Sequence, residues 1–194
     1  MALPITLITG SEQVLVDRAL AGARHEARER DGSDPDRRWV SAAAEDAPSA
    51  LAEALSPTLF GDPTLIIITE ADQIEDELWA VIEGAIAQPP DAVSLAVHHP
   101  GGVKGKRYLT ALRAAGSRDV SCAALKKGPQ TQDFLLRDVR QRGRKATPGA
   151  LQALYAAIGH DLSLLIGAIA QLCSDVETDP IDEEAVARYF AGVA

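Results

Sequence analysis

Cysteine is almost absent from this chain, and the two that occur, Cys122 and Cys173, stand far apart in no CxxC or Cys/His spacing. That spacing argues against a zinc site or a disulfide framework, and a reducing compartment is favoured. Long apolar runs are missing too: no stretch approaches the roughly 18 residues of a membrane span. The opening Met-Ala-Leu-Pro-Ile-Thr is not a basic segment followed by an apolar one, so no targeting signal is expected. Positive charge is outnumbered, 19 Lys and Arg against 28 Asp and Glu, for a net charge of -9. Nothing global therefore draws the molecule to nucleic acid or to an anionic membrane. A globular cytoplasmic protein is the expectation. Its 194 residues, 46% hydrophobic, can bury one large core or two small ones.

What is present is an alternation. Apolar runs that suit buried strands fall at 5–9, near Trp39-Val40, and at 65–68, 93–97 and 120–123. Between them runs helical periodicity. The first helix has Ser11 as a candidate N-cap, Val16, Leu20, Ala23 and Ala27 on one face, and Asp31-Gly32-Ser33-Asp34-Pro35 as its stop. Others cover 47–55, 74–88 before Pro89-Pro90, and 104–115. Strands alternating with helices of this length predict a parallel sheet covered on both faces. Trp39 and Trp79 are expected to pack beneath the helices. After Lys126-Lys127-Gly128-Pro129 only helical segments follow, at 131–141, 148–158, 162–176 and 183–190, with Thr147 and Asp161 as N-cap candidates. The expected division is an α/β domain over residues 1–127 and a helical domain over 128–194.

One segment is out of keeping with a plain α/β core. Pro57-Thr58-Leu59-Phe60-Gly61-Asp62-Pro63 sets two large apolar residues between turn-forming ones, just before the buried run Leu65 to Ile68. A large apolar pair on such a connection is poorly placed for the core and well placed to anchor a partner.

A strand followed by Thr9-Gly10-Ser11 and a helix is where a phosphate-binding loop belongs. Tested against G-x-x-x-x-G-K-[ST] from Gly10, the second Gly becomes Leu15, the Lys becomes Val16 and the Ser/Thr becomes Asp17. Val16 cannot neutralise phosphate and Asp17 repels it. The strand ending at Ile68 is followed by Thr69 where a magnesium-holding Asp is needed, with Glu70 next. Gly10-Ser11 alone reads as a tight turn with a serine cap.

Ser56 to Asp62, the run Leu65 to Asp72, the loop His99-Pro100-Gly101-Gly102-Val103-Lys104-Gly105-Lys106, and Gly159-His160-Asp161-Leu162 occur in an order that resembles the delta-subunit branch of the AAA+ clamp-loader family of bacterial DNA polymerase III. The resemblance spans essentially the whole chain. It implies an AAA+-like five-stranded parallel sheet with flanking helices, followed by a small all-helical lid domain. A further collar domain, found in that family, is not expected within 194 residues. Ser163 stands where active AAA+ proteins carry a sensor Arg, so Gly10, Val16, Asp17, Thr69 and Ser163 together mark a degenerate nucleotide site that needs no cofactor. Leu59 and Phe60, with Pro57 and Thr58, take the place of the hydrophobic plug that enters a pocket on the sliding clamp.

The implied function is a non-catalytic clamp-loader subunit that binds and opens the sliding clamp, the beta subunit, during DNA replication. Its partners would be that clamp and other loader subunits, with DNA contact weak or indirect. The alternative is an active P-loop ATPase subunit of a DNA-replication or remodelling complex. Lys104, Lys106 and Arg107 beside Gly101-Gly102 are candidates for phosphate or DNA contact, although such a loop also serves as a solvated turn. Arg137, Arg140, Arg142, Arg144 and Lys145 concentrate positive charge with no aromatic between them, which disfavours a stacking platform there. Arg118 reads as an ordinary exposed Arg. His98 and His99 point to opposite faces of a strand and lack partners at ligand spacing, so no metal is expected.

Overall fold

The computed structural model describes residues 2–57, 61–125 and 128–190. Contacts divide the chain into two units, Met1–Ala124 and Leu125–Ala194. The first holds strands β1 (Ile5–Thr9), β2 (Asp36–Ser41), β3 (Thr64–Thr69), β4 (Val93–His99) and β5 (Arg118–Ser121). They pair in parallel in the order β2-β3-β4-β1-β5. Each connection carries a helix: α1 (Gln13–Asp31), α2 (Ala47–Ala54), α3 (Asp76–Ala87, after a 3-10 turn at Ala71–Gln73) and α4 (Lys106–Ala114).

β3 lies between two neighbours and is covered above and below, which is why four successive aliphatics suit it. Leu65, Ile66, Ile67 and Ile68 are each at most 1% exposed, and burying each contributes roughly 1.5–3 kcal/mol. The two faces are covered unequally. Leu7, Ile66, Ile68, Leu95 and Val97 pack with residues of α2, α3 and α4. The alternate residues, among them Ile8, Ile67 and Ala96, point the other way, toward the side where α1 packs against β1 and β4.

Two expectations fail here. Ser11 is exposed and caps nothing; the N-cap of α1 is Glu12, with no side-chain cap bond. The Glu12 N–H is drawn 2.9 Å to the Cys122 carbonyl, so the chain enters the helix one residue later than the serine suggests. Trp39 is 57% exposed rather than packed beneath a helix, because β2 is an edge strand and α1 lies over β1 and β4. Trp79 does pack against the core, its ring centroid 5.1 Å from that of Tyr108. β5 begins two residues earlier than its apolar run.

The second unit is helical: α5 (Pro129–Gln141), α6 (Pro148–Ile158), α7 (Leu162–Asp175) and α8 (Glu183–Phe190). α5 packs on α7 and α6 on α8, burying Leu135, Val139, Leu154, Leu165, Ile169 and Val186. Thr147 Oγ1 accepts from Ala150 N at 3.0 Å and Asp161 Oδ1 from Leu164 N at 2.9 Å, so both expected N-caps form. Each is worth about 1 kcal/mol. Among the described residues no helix is long and apolar enough to cross a membrane, and no cluster of His, Cys, Asp or Glu could hold a metal.

Candidate functional site

The turn between β1 and α1 is three residues long, Gly10 to Glu12. Gly10 N donates to the His99 carbonyl at 2.9 Å, and Glu12 N to the Cys122 carbonyl at 2.9 Å. From the other side, His98 Nε2 donates to the Gly10 carbonyl at 2.9 Å, and Cys122 N to the Thr9 carbonyl at 2.6 Å. The turn is laced to the ends of β4 and β5. An anion nest needs free backbone N–H groups pointing into an open concavity, and here two of the three donors are already bonded to carbonyls. Gly10 has φ +128, and a Cβ on it would sit 2.2 Å from the Cys122 carbonyl. Val16 is 3% exposed inside α1. Asp17 is exposed and accepts from Gln13 Nε2 at 2.8 Å.

At the end of β3, Thr69 is half-buried and its carbonyl accepts from Ala42 N at 3.0 Å. Glu70 follows in the left-handed region, φ 54, a conformation few non-glycine residues adopt. Its carboxylate accepts the Ser41 hydroxyl at 2.6 Å. Ser41 ends β2, on the side of β3 away from β1, so Glu70, the acidic group next to Thr69, is engaged in the opposite direction. In the second unit, Ser163 is exposed in the first turn of α7. A serine there has neither the reach nor the charge of an arginine.

The loop from His99 to Arg107 is held by its own residues. His99 is 1% exposed; its Nδ1 accepts from Gly101 N at 3.0 Å, so its Nε2 carries the proton and donates to the Lys104 carbonyl at 2.8 Å. Lys104 Nζ donates to Gln73 Oε1. Arg107 pairs with Asp76 and stands over the Tyr108 ring, 4.5 Å from its centroid. Lys106 is exposed. Two of the three cations that sequence grouped as a phosphate contact therefore have partners within the unit.

The basic segment of the second unit is similarly divided. Arg144 donates to the carbonyls of Cys173 at 2.8 Å, Val176 at 2.7 Å and Thr178 at 2.7 Å, tying α7 and its following loop to the end of α5. Arg142 pairs at 3.1 Å with Asp138, which is 1% exposed. Arg137 and Arg140 face solvent. In the first unit Arg118 pairs with Glu26 at 3.1 Å.

Thr58, Leu59 and Phe60 lie outside the described residues. Their flanks are described. The chain leaves the core after Leu55, which packs partly against it, and Ser56 and Pro57 are exposed. Gly61 and Asp62 are exposed as well, and the chain returns at Pro63, buried, with its carbonyl accepting from Asp36 N at 2.8 Å. This connection enters the N-terminal end of β3, whereas the Gly10 turn leaves the C-terminal end of β1. In a parallel sheet these are opposite ends of the strands.

Sequence reasoning missed the groove beside Trp39, about 440 Å³ and lined among others by Arg24, Arg28, Arg37 and Ile67. The spacing Arg37-x-Trp39 on one face of a strand was visible, but not that the strand would be an edge with no helix above it.

The order β2-β3-β4-β1-β5 with helices on both sides, leading into a helical unit, defines an AAA+-like α/β architecture. This fold is shared with the DNA clamp loader delta protein of Bacillus subtilis, which superposes with a TM-score of 0.73 over 96% of this chain at 16% identity. The chain spans 58% of that protein's length. A Thermotoga maritima RuvB Holliday junction branch migration motor aligns at TM-score 0.49 and 12% identity, over 94% of this chain and 60% of its own. A DNA polymerase III gamma subunit-related protein of the same organism aligns at TM-score 0.49 and 10% identity, over 96% and 66%. No family model matches the sequence, and no curated protein matches it.

Proposed function

We propose that this chain is the clamp-engaging part of a delta-type clamp-loader subunit: it binds the sliding clamp through Leu59 and Phe60, helps to open the ring for DNA replication, and neither binds nor hydrolyses ATP. The observation that carries this is the closed Gly10 turn within an otherwise AAA+-like sheet. A nucleotide phosphate placed there would have to displace backbone bonds from Gly10 and Glu12 and meet Val16 and Asp17 in place of a cation, and a charge left without compensation is strongly disfavoured. The active-ATPase alternative gains nothing from this geometry. The fold likeness to a clamp loader delta protein supplies the partner class, and the exposed flanks Pro57 and Gly61 suit a projecting anchor. Burying two such apolar side chains is worth roughly 1.5–3 kcal/mol each. Assembly with other loader subunits in the cytoplasm belongs to the same proposal.

Calorimetric titration of this chain with the beta clamp of its own organism, and separately with magnesium-ATP, tests it. The expected result is saturable clamp binding and no heat from ATP. Micromolar ATP binding lost on substitution at Gly10, or no clamp binding at all, would reject the proposal.

A further inference from the structure

One feature of the first unit that no part of the proposed function uses is the groove on the α1 side of the sheet. Its floor is the edge strand β2, whose Trp39 pairs in register with Ile67 and whose Arg37 pairs with Leu65. Its wall is α1, which presents Arg24 and Arg28 one turn apart. Arg24 is engaged with Asp34 through a two-bond ion pair that holds the carboxyl of Asp34 below its ordinary value. Asp17 at the far end is occupied by Gln13. Among the described residues, Arg28 and Arg37 have no carboxylate within ion-pair distance. The groove therefore offers a flat indole, 57% exposed, next to two guanidinium groups that form no direct ion pair, although both help to hold the Asp34 carboxyl low, in a chain whose net charge is -9.

That combination has a definite chemistry. An exposed aromatic face takes a nucleobase by stacking without regard to its identity, and adjacent Arg side chains take the phosphates on either side. An apolar peptide would find a single ring and no pocket for its other side chains, and an acidic peptide would leave the indole without a planar partner. A groove of about 440 Å³ is within the range that encloses ligands of a few hundred daltons. We propose that the β2–α1 groove is a binding site for single-stranded nucleic acid, with one base stacked on Trp39 and flanking phosphates held by Arg28 and Arg37. The groove shares no lining residue with the Gly10 turn, and the proposal stands whether or not the chain engages a clamp.

Fluorescence anisotropy of a labelled oligothymidylate about 12 nucleotides long, at roughly 50 mM salt, provides the test with the full 194-residue chain. Saturable binding is expected. Trp39→Ala should weaken it roughly tenfold or more, and Trp39→Phe should retain most of it. The pair Arg28→Ala plus Arg37→Ala should flatten the slope of log K against log salt by about 1.4, since each single-strand phosphate contact contributes about 0.7. Quenching of Trp39 in a Trp79→Phe background reports stacking directly. Circular dichroism melts confirm that the variants are folded; should Trp39→Ala not fold, Trp39→Phe and the Arg pair decide. No binding, or Trp39→Ala binding as tightly as the parent, overturns the proposal. So does an abasic strand that binds equally well. Equal binding of polyglutamate would assign the groove to acidic protein, and equal binding of thymidine monophosphate would assign it to free nucleotides; either result rejects a strand site.

Discussion

Gly10 and Cys122 touch backbone to backbone: a Cβ on Gly10 would lie 2.2 Å from the Cys122 carbonyl carbon. The contact joins the turn after β1 to the residue after β5, and it holds that turn against the end of the sheet. No side chain can be added there without moving one of the two strand ends.

The first prediction follows from that contact. Gly10→Ala should cost about 3 kcal/mol or more, because it combines a backbone clash with a φ that L-residues avoid. Ser11→Ala, one residue along, should change stability by less than about 0.5 kcal/mol, since Ser11 is exposed and caps nothing. Urea unfolding of the two variants checks both. Equal effects would mean that the turn is not closed as described.

Arg144 is expected to behave as a structural residue rather than as part of a basic surface. Its guanidinium serves three carbonyls, those of Cys173, Val176 and Thr178, and Arg144→Ala leaves them to find other donors. A loss of about 2–4 kcal/mol is expected. Arg140→Ala, on the exposed side of α5, should be neutral within about 0.5 kcal/mol. Thermal melts of the pair separate the two roles.

Ser94 sits in β4, 5% exposed, and its hydroxyl is buried with no hydrogen-bond partner. Removing an unsatisfied hydroxyl relieves its desolvation cost. Ser94→Ala should therefore raise stability by about 1 kcal/mol, read as a shift in the urea midpoint with no change in slope. A lowered midpoint would mean that the hydroxyl is satisfied after all.

How far the sequence could be read depends on what each feature rests upon. β1, α6 and α8 occupy the predicted residues and α7 differs by one at its end, because local pattern suffices to define them: Thr147 and Asp161 are caps of α6 and α7 by chemistry alone. The alternation of strands and helices likewise led to the parallel sheet. Trp39 was misplaced since its exposure depends on strand order, which leaves β2 at the edge with α1 elsewhere. Ser11 was misread because the start of α1 is decided by Cys122, more than 100 positions away. At the candidate site, the loss of Lys and Asp was legible from Val16 and Thr69. The lacing of Gly10 and Glu12 to carbonyls was not, as it is a long-range backbone arrangement. Arg144 shows the same limit: its charge is visible in sequence, its three carbonyl partners are not.

The central claim is that Leu59 and Phe60 anchor this chain to the sliding clamp, and the double substitution Leu59→Ala plus Phe60→Ala tests it most directly. Clamp affinity should fall by about 4 kcal/mol, on the order of a thousandfold, while the melting temperature stays within about 2 °C of the parent. Binding is read by calorimetry against the beta clamp and stability by a thermal melt on the same preparation. A melting temperature lowered by many degrees, with clamp affinity per folded molecule unchanged, would show that the pair is core and that the anchor lies elsewhere.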